Sequence, residues 1–285
     1  MIGLVRSEVL KLRTTNVWWA MTLGVIAFTG LALLINYFQT NALVDNPDAF
    51  NQQGSNPNEV QQEQQAQTAA VARSATALAA NVYTSGQYFG LLLTMILGVL
   101  IVTNEFYHQT ATSTFLTTPR RERVIAAKVI TAALWGVLFC VVTAVFAVPI
   151  GAAVLHAVGL PTSLGDGKVL TSILLNMLGF AIWAIFGLGI GTLLKNQIVA
   201  IVLALVLYIG QTVVGGILAV LAIQFNAAWL IKVQYWLPGG ASSVMISTTD
   251  IPGIPPWWAG ALTLLGYGVV AAVIGTLITV RRDVS

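Results

Sequence analysis

The sequence predicts an all-α integral membrane protein with six transmembrane helices. Apolar residues make up 57% of the 285 positions and charged residues only 8%, with a mean hydropathy of +0.84. These values lie outside the range of ordinary soluble domains. Uncharged stretches occur at 14–44, 74–104, 129–165, 169–194, 196–231 and 251–280. Each stretch can hold a helix of about 20 residues, which crosses a hydrocarbon core of about 30 Å.

The spans are expected to be helices because lipid cannot pair exposed backbone groups. The first is interpreted as an uncleaved span, since its apolar run is too long for a signal-peptide core and no small-residue cleavage site follows it. The predicted spans are 17–36, 86–105, 124–147, 170–193, 198–221 and 257–280.

The segment before the first span, 1–15, has the pattern of an amphipathic helix. Apolar residues recur on one helical face, and charged residues occupy the remainder. The apolar set is Ile2, Val5, Val9 and Leu12, and the charged set is Arg6, Glu8, Lys11 and Arg13. A basic helix of this kind is typical of a membrane surface, and a solvated tail is the alternative.

The distribution of Lys and Arg predicts the orientation. With both termini in the cytoplasm, the inner segments hold ten basic residues and the outer segments three, as the positive-inside rule requires. This orientation predicts a multi-pass protein of a bacterial plasma membrane. The residues expected beside anionic lipid are Arg6, Lys11, Arg13, Arg120, Arg121 and Arg123.

Two long segments then lie outside, at 37–85 and 222–256. The first is rich in Gln and Ala and is too long for an ordinary connection. Asn56, Pro57 and Glu59 are typical of a helix start, which predicts a helix from about 57 toward the second span. Ligand recognition and a passive loop both remain open for it.

Motifs for catalysis are not found. The stretch "GDGKV" at 165–169 lacks the upstream Gly of a phosphate-binding loop, since Thr162 stands there, and Val169 replaces its Ser or Thr. Glu105 and His108 form a single E-x-x-H, whereas a di-iron bundle site needs two such motifs and further carboxylates. We therefore expect no catalytic residue, no metal, no cofactor bound by this chain and no nucleic-acid partner.

Polar residues inside the spans are either interhelical hydrogen-bonding groups or markers of a substrate path. The candidates for that path are Gln87, Tyr88, Asn176 and Gln211. Glycines in the fourth and fifth spans, among them Gly187 and Gly191 in G-x-x-x-G spacing, favour close helix packing, with a sliding contact as the alternative.

The cytoplasmic segment 106–123 contains "HQTATSTFLTTPRRER". Phe115 and Leu116 stand there among small hydroxyl residues, and such apolar anchors commonly dominate a docking interface. Insertion of both side chains into the lipid interface is the alternative.

Three features together resemble the permease subunits of bacterial, exporter-like type-2 ATP-binding-cassette transporters. They are "EVLKLRTT" near the N-terminus, the six spans, and "NEFYHQTATSTFLTTPRRERVIAAK" at 104–128. In that family the segment after the second span forms a coupling helix that docks on a separate ATPase. The resemblance assigns this role to Glu105, Thr114, Phe115, Leu116, Thr117 and Pro119.

The resemblance implies a noncatalytic permease that exports an amphipathic or hydrophobic substrate. It also implies two ATPase chains carrying ATP and Mg, a second copy of this permease or a related one, and short external helices at 226–245. Rival interpretations are a membrane scaffold or sensor that binds a ligand outside and a signalling partner inside, and an ion channel. No ring of intramembrane acids supports the channel.

Overall fold

The computed structural model describes residues 1–45, 74–110, 121–194, 196–225, 227, 229–247 and 253–281, and over these ranges the ordered elements are α-helices. In chain order they are α1 (Ile2–Thr14), α2 (Val17–Asp45), α3 (Ala75–Tyr83), α4 (Gln87–Tyr107), α5 (Arg121–Ala157), α6 (Gly167–Leu193), α7 (Gln197–Gln224), α8 (Trp229–Gln234), α9 (Pro238–Met245) and α10 (Trp257–Arg281). The prediction of an all-helical membrane protein is confirmed.

Each predicted span corresponds to one helix: α2, α4, α5, α6, α7 and α10. Within the described residues, five segments are long and apolar enough to cross a membrane: Val17–Asn41, Ala75–Tyr107, Glu122–Ala157, Gly167–Leu193 and Gln197–Ala222. The last helix, α10, contains 25 residues, and its apolar stretch Trp257–Ala271 is shorter than the other five.

The third span is longer than predicted, because α5 continues to Ala157 and contains 37 residues, with Pro149 inside it. The added turns are covered by α3. Gly151 leaves room for Val82 and Tyr83, whose nearest atoms lie 2.7 and 3.1 Å from the place a Cβ atom would take. The turns of α5 at 148–157, which contain no Asp, Glu, Lys or Arg, therefore pack against α3.

The helix α3 starts after Ser74, whose Oγ accepts the Ala77 N–H at 3.3 Å. The start of α3 also contacts Asp166, which accepts hydrogen bonds from the Thr76 hydroxyl at 3.1 Å and from the Lys168 N–H at 2.9 Å. The "GDGKV" stretch is thus the capped start of α6. The predicted helix start at Asn56, Pro57 and Glu59 lies outside the described residues.

The centre of the bundle is the contact between α4 and α6, where backbones meet directly. A Cβ atom at Gly187 would overlap the Met95 carbonyl oxygen, and one at Gly98 would overlap that of Ala184. At Gly191 a Cβ atom would stand 2.8 Å from the Val99 carbonyl oxygen. The packing role predicted for Gly187 and Gly191 is confirmed.

The helices before the last span, expected at 226–245, are α8 and α9. The α9 helix enters the bundle: Trp183 Nε1 donates to Ser242 Oγ at 2.7 Å, and Ser172 Oγ donates to the Ile246 carbonyl oxygen at 2.7 Å. Because Trp183 lies past the midpoint of α6, α9 reaches the middle depth of the spanning helices.

We predict that Gly187→Ala lowers stability by about 1 to 3 kcal/mol, the usual cost of overpacking, because the added methyl group forces α4 and α6 apart. The matched control is Gly216→Ala on α7, where no atom lies within 4 Å of the new Cβ position. The measurement is the thermal unfolding midpoint of the purified protein in detergent. Equal midpoints for the two variants would contradict the close-contact assignment.

Candidate coupling site

Four charged side chains meet where α1, the end of α4 and the start of α5 converge. Lys128 Nζ lies 2.7 Å from Glu8 Oε2 and 2.8 Å from Glu105 Oε1. Lys11 Nζ lies 2.6 Å from Glu8 Oε1 and 2.6 Å from Glu105 Oε1. Each carboxylate thus contacts both amines, and we call this arrangement the four-charge network.

Burial makes the network sensitive to the loss of any one member. The side chains of Glu8, Glu105 and Lys128 are 6%, 8% and 5% exposed, whereas that of Lys11 is 43% exposed. Removing a buried charge from water is costly, and the attraction between partners offsets that cost only when the geometry is good. Two acids and two amines balance in charge, and Lys128 also donates to the Ile101 carbonyl oxygen at 3.4 Å.

The half-exposed Lys11 amine responds to two opposing effects. Partial burial alone lowers its pKa, but hydrogen bonds and charges from Glu105 and Glu8 outweigh that effect, so the pKa is raised above 10.5. A raised lysine pKa stabilises the folded state at all pH values below the ordinary one, and this contribution is lost only as the pH rises through the folded-state value. Lys11 therefore stays protonated throughout the neutral range.

The helix α1 contributes Glu8 through a face that differs from the predicted one. Glu8 and Leu12 are buried, whereas Ile2 is 87% exposed. Val5 and Val9 flank the buried pair as half-buried residues. A helix is present where the amphipathic helix was predicted, and Glu8 lies on its buried face, where it pairs with Lys11 and Lys128.

The second span ends in a defined backbone motif just after Glu105. The Thr110 N–H donates to the Glu105 carbonyl oxygen at 2.9 Å, and the Gln109 N–H donates to that of Phe106 at 3.2 Å. Gln109 has a φ of 55°, so the pattern is a Schellman motif with a left-handed residue after the helix. This motif turns the chain into the cytoplasmic segment directly beside the network.

The proposed docking residues in that segment lie outside the described residues: Thr114, Phe115, Leu116, Thr117, Pro119 and the adjacent Arg120. The same is true of the Arg121 side chain. Among the other basic residues, Arg6, Arg13 and Arg123 are exposed, as a surface role requires. Lys11 instead takes part in the four-charge network, with its remaining surface open to solvent.

Some of the candidates for the substrate path lie where α4 contacts α7, which we call the α4–α7 seam. The Tyr88 and Tyr208 rings are 5.5 Å apart, and the Tyr208 hydroxyl donates to the Tyr88 carbonyl oxygen. Gln211 lies one turn after Tyr208, and its Oε1 accepts the Gly239 N–H at 2.7 Å. Gln87, next to Tyr88, is half-buried, whereas Asn176 is buried on α6.

Sequence reasoning missed two members of the network and one of the seam. Glu8 was assigned to the charged face of the first helix, and Lys128 was noted only as part of the stretch 104–128. Tyr208 was not identified as a candidate. The spacing signals were weak because the partners of Lys128 lie on two other helices, Glu8 on α1 at a distance of 120 residues and Glu105 on α4. No group of His, Cys, Asp and Glu arranged to hold a metal occurs within the described part of the chain.

Comparison with known proteins supplies the family. A family model described as "ABC-2 family transporter protein" matches residues 4–211, a range that includes the four-charge network and the α4–α7 seam. The chain belongs to the ABC-2 transporter family. It is a multi-pass membrane permease, the transport subunit of an ATP-binding-cassette transporter, and the family implies an ATP-binding partner subunit. The curated proteins include no significant match.

We predict that Lys128→Met destabilises the permease more than Lys11→Met. The Lys128 amine is buried between the two carboxylates, whereas the Lys11 amine is half-exposed, so only the loss of Lys128 removes a buried positive charge from Glu8 and Glu105. The expected cost is about 3 to 5 kcal/mol for Lys128→Met. The measurement is the unfolding midpoint in detergent, with the exposed Arg123→Gln on the same helix as the control.

A neutral double change separates electrostatics from packing. Combining Glu8→Leu with Lys128→Met removes one charge of each sign, and replacing both partners with apolar groups is often nearly neutral. The double variant is therefore expected to be more stable than Lys128→Met alone. Additive losses would show that the charges do not act as one network.

Proposed function

We propose that this permease works with a separate ATPase to export an amphipathic or hydrophobic substrate. The observation that carries the proposal is the four-charge network, which joins the two ends of segment 106–123 to each other and to α1. Glu105 lies at the inner end of α4, and Lys128 lies in the second turn of α5. A force applied to the segment between them is thereby shared by three helices.

The coupling follows from how the helices are joined. A partner that docks on Phe115 and Leu116 pulls on α4 and α5 together, because their inner ends are held through Glu105 and Lys128. The α4 helix then carries the movement into α6 through the glycine contacts at Gly98 and Gly187. ATP favours one conformation to the extent that its affinity for the two differs.

The complete transporter in this proposal contains two permeases and two ATPases. The second permease is another copy of this chain or a related one, and the ATPases carry ATP and Mg while this chain binds no cofactor and catalyses no reaction. The seam between α4 and α7 supports a path bordered by Gln87, Tyr88 and Gln211. Tyr88 is 44% exposed there, which leaves its ring available to a substrate or to the second permease.

In this proposal both termini lie in the cytoplasm and α3 and α8 lie on the outer side, from which α9 enters the bundle. Four exposed tryptophans mark the membrane interface on the side of α8, since tryptophan is enriched at both membrane interfaces. They are Trp229, Trp236, Trp257 and Trp258. On the opposite side the exposed Arg6, Arg13 and Arg123 are suited to anionic lipid.

The docking assignment predicts that Phe115→Ala weakens ATPase binding by about 30-fold, the equivalent of about 2 kcal/mol for a hot-spot residue. Leu116→Ala is expected to act in the same direction. The measurement is a pull-down of the ATPase from detergent-solubilised membranes, after equal membrane levels of each variant have been confirmed.

The matched control is the pair Arg120→Gln and Arg121→Gln, which flanks the same segment. Each of these charges contributes about 1 kcal/mol to attraction for anionic lipid, so their loss should affect membrane anchoring more than ATPase binding. Full ATPase binding and full ATP-driven transport in both apolar variants would remove the coupling assignment.

The path assignment predicts that Gln211→Leu changes substrate-stimulated ATPase activity while the protein still reaches the membrane. The change removes the acceptor for the Gly239 N–H and so loosens the start of α9 beside the path. Thr212→Val, on the adjacent exposed position, is the control. Identical stimulation of Gln211→Leu and the parent across a panel of amphipathic compounds would leave Gln211 with a structural role only.

A further inference from the structure

Two buried polar atoms in the outer half of the bundle lack a hydrogen-bond partner among the described residues. They are Asn176 Oδ1 on α6 and Ser85 Oγ in the turn between α3 and α4. Asn176 is only 4% exposed. Buried polar atoms are nearly always paired, with protein or with ordered water, so both atoms point to a partner beyond the described side chains.

The register between α4 and α6 brings these two residues to one level. The helices run in the same direction, with Gly187 beside Met95 and Gly191 beside Val99. Stepping back along both helices by equal distances from these contacts places Asn176 level with Ser85 and its neighbours. Ser85 and Asn176 therefore stand at the same depth on adjacent segments.

Contacts of α5 with α6 and with the turn before α4 also place Asn176 and Ser85 at one level. A Cβ atom at Gly136 would stand 2.5 Å from the Phe180 carbonyl oxygen, and one at Gly86 would stand 3.2 Å from Thr143. Because α5 runs opposite to α6, the stretch of α5 between Gly136 and Thr143 spans the level of Asn176. Thr143 thus lies close both to the Ser85–Gly86 turn and to the level of Asn176.

Two threonine hydroxyls, those of Thr29 and Thr143, lie near this level. Thr143 donates its hydroxyl hydrogen to the Cys140 carbonyl oxygen at 2.7 Å, and Thr29 donates to that of Val25 at 2.7 Å. Thr29 Oγ1 lies 2.7 Å from the Cβ position of Gly86. Both threonine oxygens keep acceptor capacity, so a partner at this level needs hydrogen atoms to donate.

The charge of the surroundings favours a neutral partner. Among the side chains that the structure describes, the acids are Glu8, Glu105, Glu122 and Asp166. Glu8 and Glu105 belong to the cytoplasmic network, Glu122 starts α5 at the same end, and Asp166 is bonded to Thr76 and Lys168. A cation at Asn176 would have no neighbouring carboxylate to offset its desolvation.

We propose that a water molecule bound between Ser85 and Asn176 bridges the α3–α4 turn to α6. Water supplies two donors for the two unpartnered oxygens, and a buried water typically makes about three hydrogen bonds. The bridge fastens the outer turn to the α4–α6 centre of the bundle at a point where no direct side-chain bond does so. This inference is independent of the proposed export function.

A double-mutant cycle on the full-length protein tests the bridge. Ser85→Ala and Asn176→Leu are each expected to lower the unfolding midpoint by about 2 to 4 °C, a shift typical of one lost hydrogen bond in a chain of this size. The double variant should lose no more than the larger single loss, because either change alone already releases the water. Thr94→Val is the control, since the Thr94 hydroxyl bonds within its own helix.

The outcomes separate the alternatives. Unchanged or raised midpoints in the single variants would show two unpaired groups and overturn the proposal, and so would strictly additive losses. A midpoint that rises when sodium replaces an organic cation at constant ionic strength would assign the site to a metal ion instead. A cryo-EM map that shows a water within about 3 Å of Ser85 Oγ and Asn176 Oδ1 would support the bridge directly.

Discussion

The burial of two carboxylates between two amines is the constraint on which the arrangement of α1, α4 and α5 in this permease depends. Glu8 and Glu105 lie buried among apolar helices, and each is within 2.8 Å of the amines of Lys11 and Lys128. The four groups come from three helices, of which α1 is far in sequence from the consecutive helices α4 and α5. Their geometry therefore fixes how α1 meets the inner ends of α4 and α5, and a displaced helix would leave a bare charge in a medium of low dielectric constant.

A second constraint acts at the centre of the bundle, where charge plays no part. Between α4 and α6, glycines replace side chains and backbones meet. Contacts of this kind have little freedom to adapt, since protein interiors are close-packed and respond to displacement as blocks. The α4 helix carries the four-charge network at its end and the glycine contact with α6 along its length. It therefore links segment 106–123 to the rest of the bundle.

The difference between what could and could not be predicted follows from the range of each signal. Spans such as 170–193 and 257–280 were placed closely because absence of charge over a whole helix is a local signal that the bilayer imposes. The end of α5 was misplaced because the burial of residues near Gly151 depends on α3, which is distant in sequence. Glu8 was likewise assigned to a polar face, since its partner Lys128 is 120 residues away.

The same reasoning explains why Gln211 and Asn176, equal in a reading of the sequence, differ in the structure. Both are amides within apolar helices, and the cost of burying an amide is the same for each. Gln211 meets that cost with the backbone N–H of Gly239, at the start of α9, where a helix always offers unpaired donors. The Oδ1 of Asn176 has no donor among the described residues, and the Thr29 and Thr143 hydroxyls near its level donate to carbonyl oxygens of their own helices. A supply of donors, rather than polarity itself, decides which buried amide can be satisfied by protein alone.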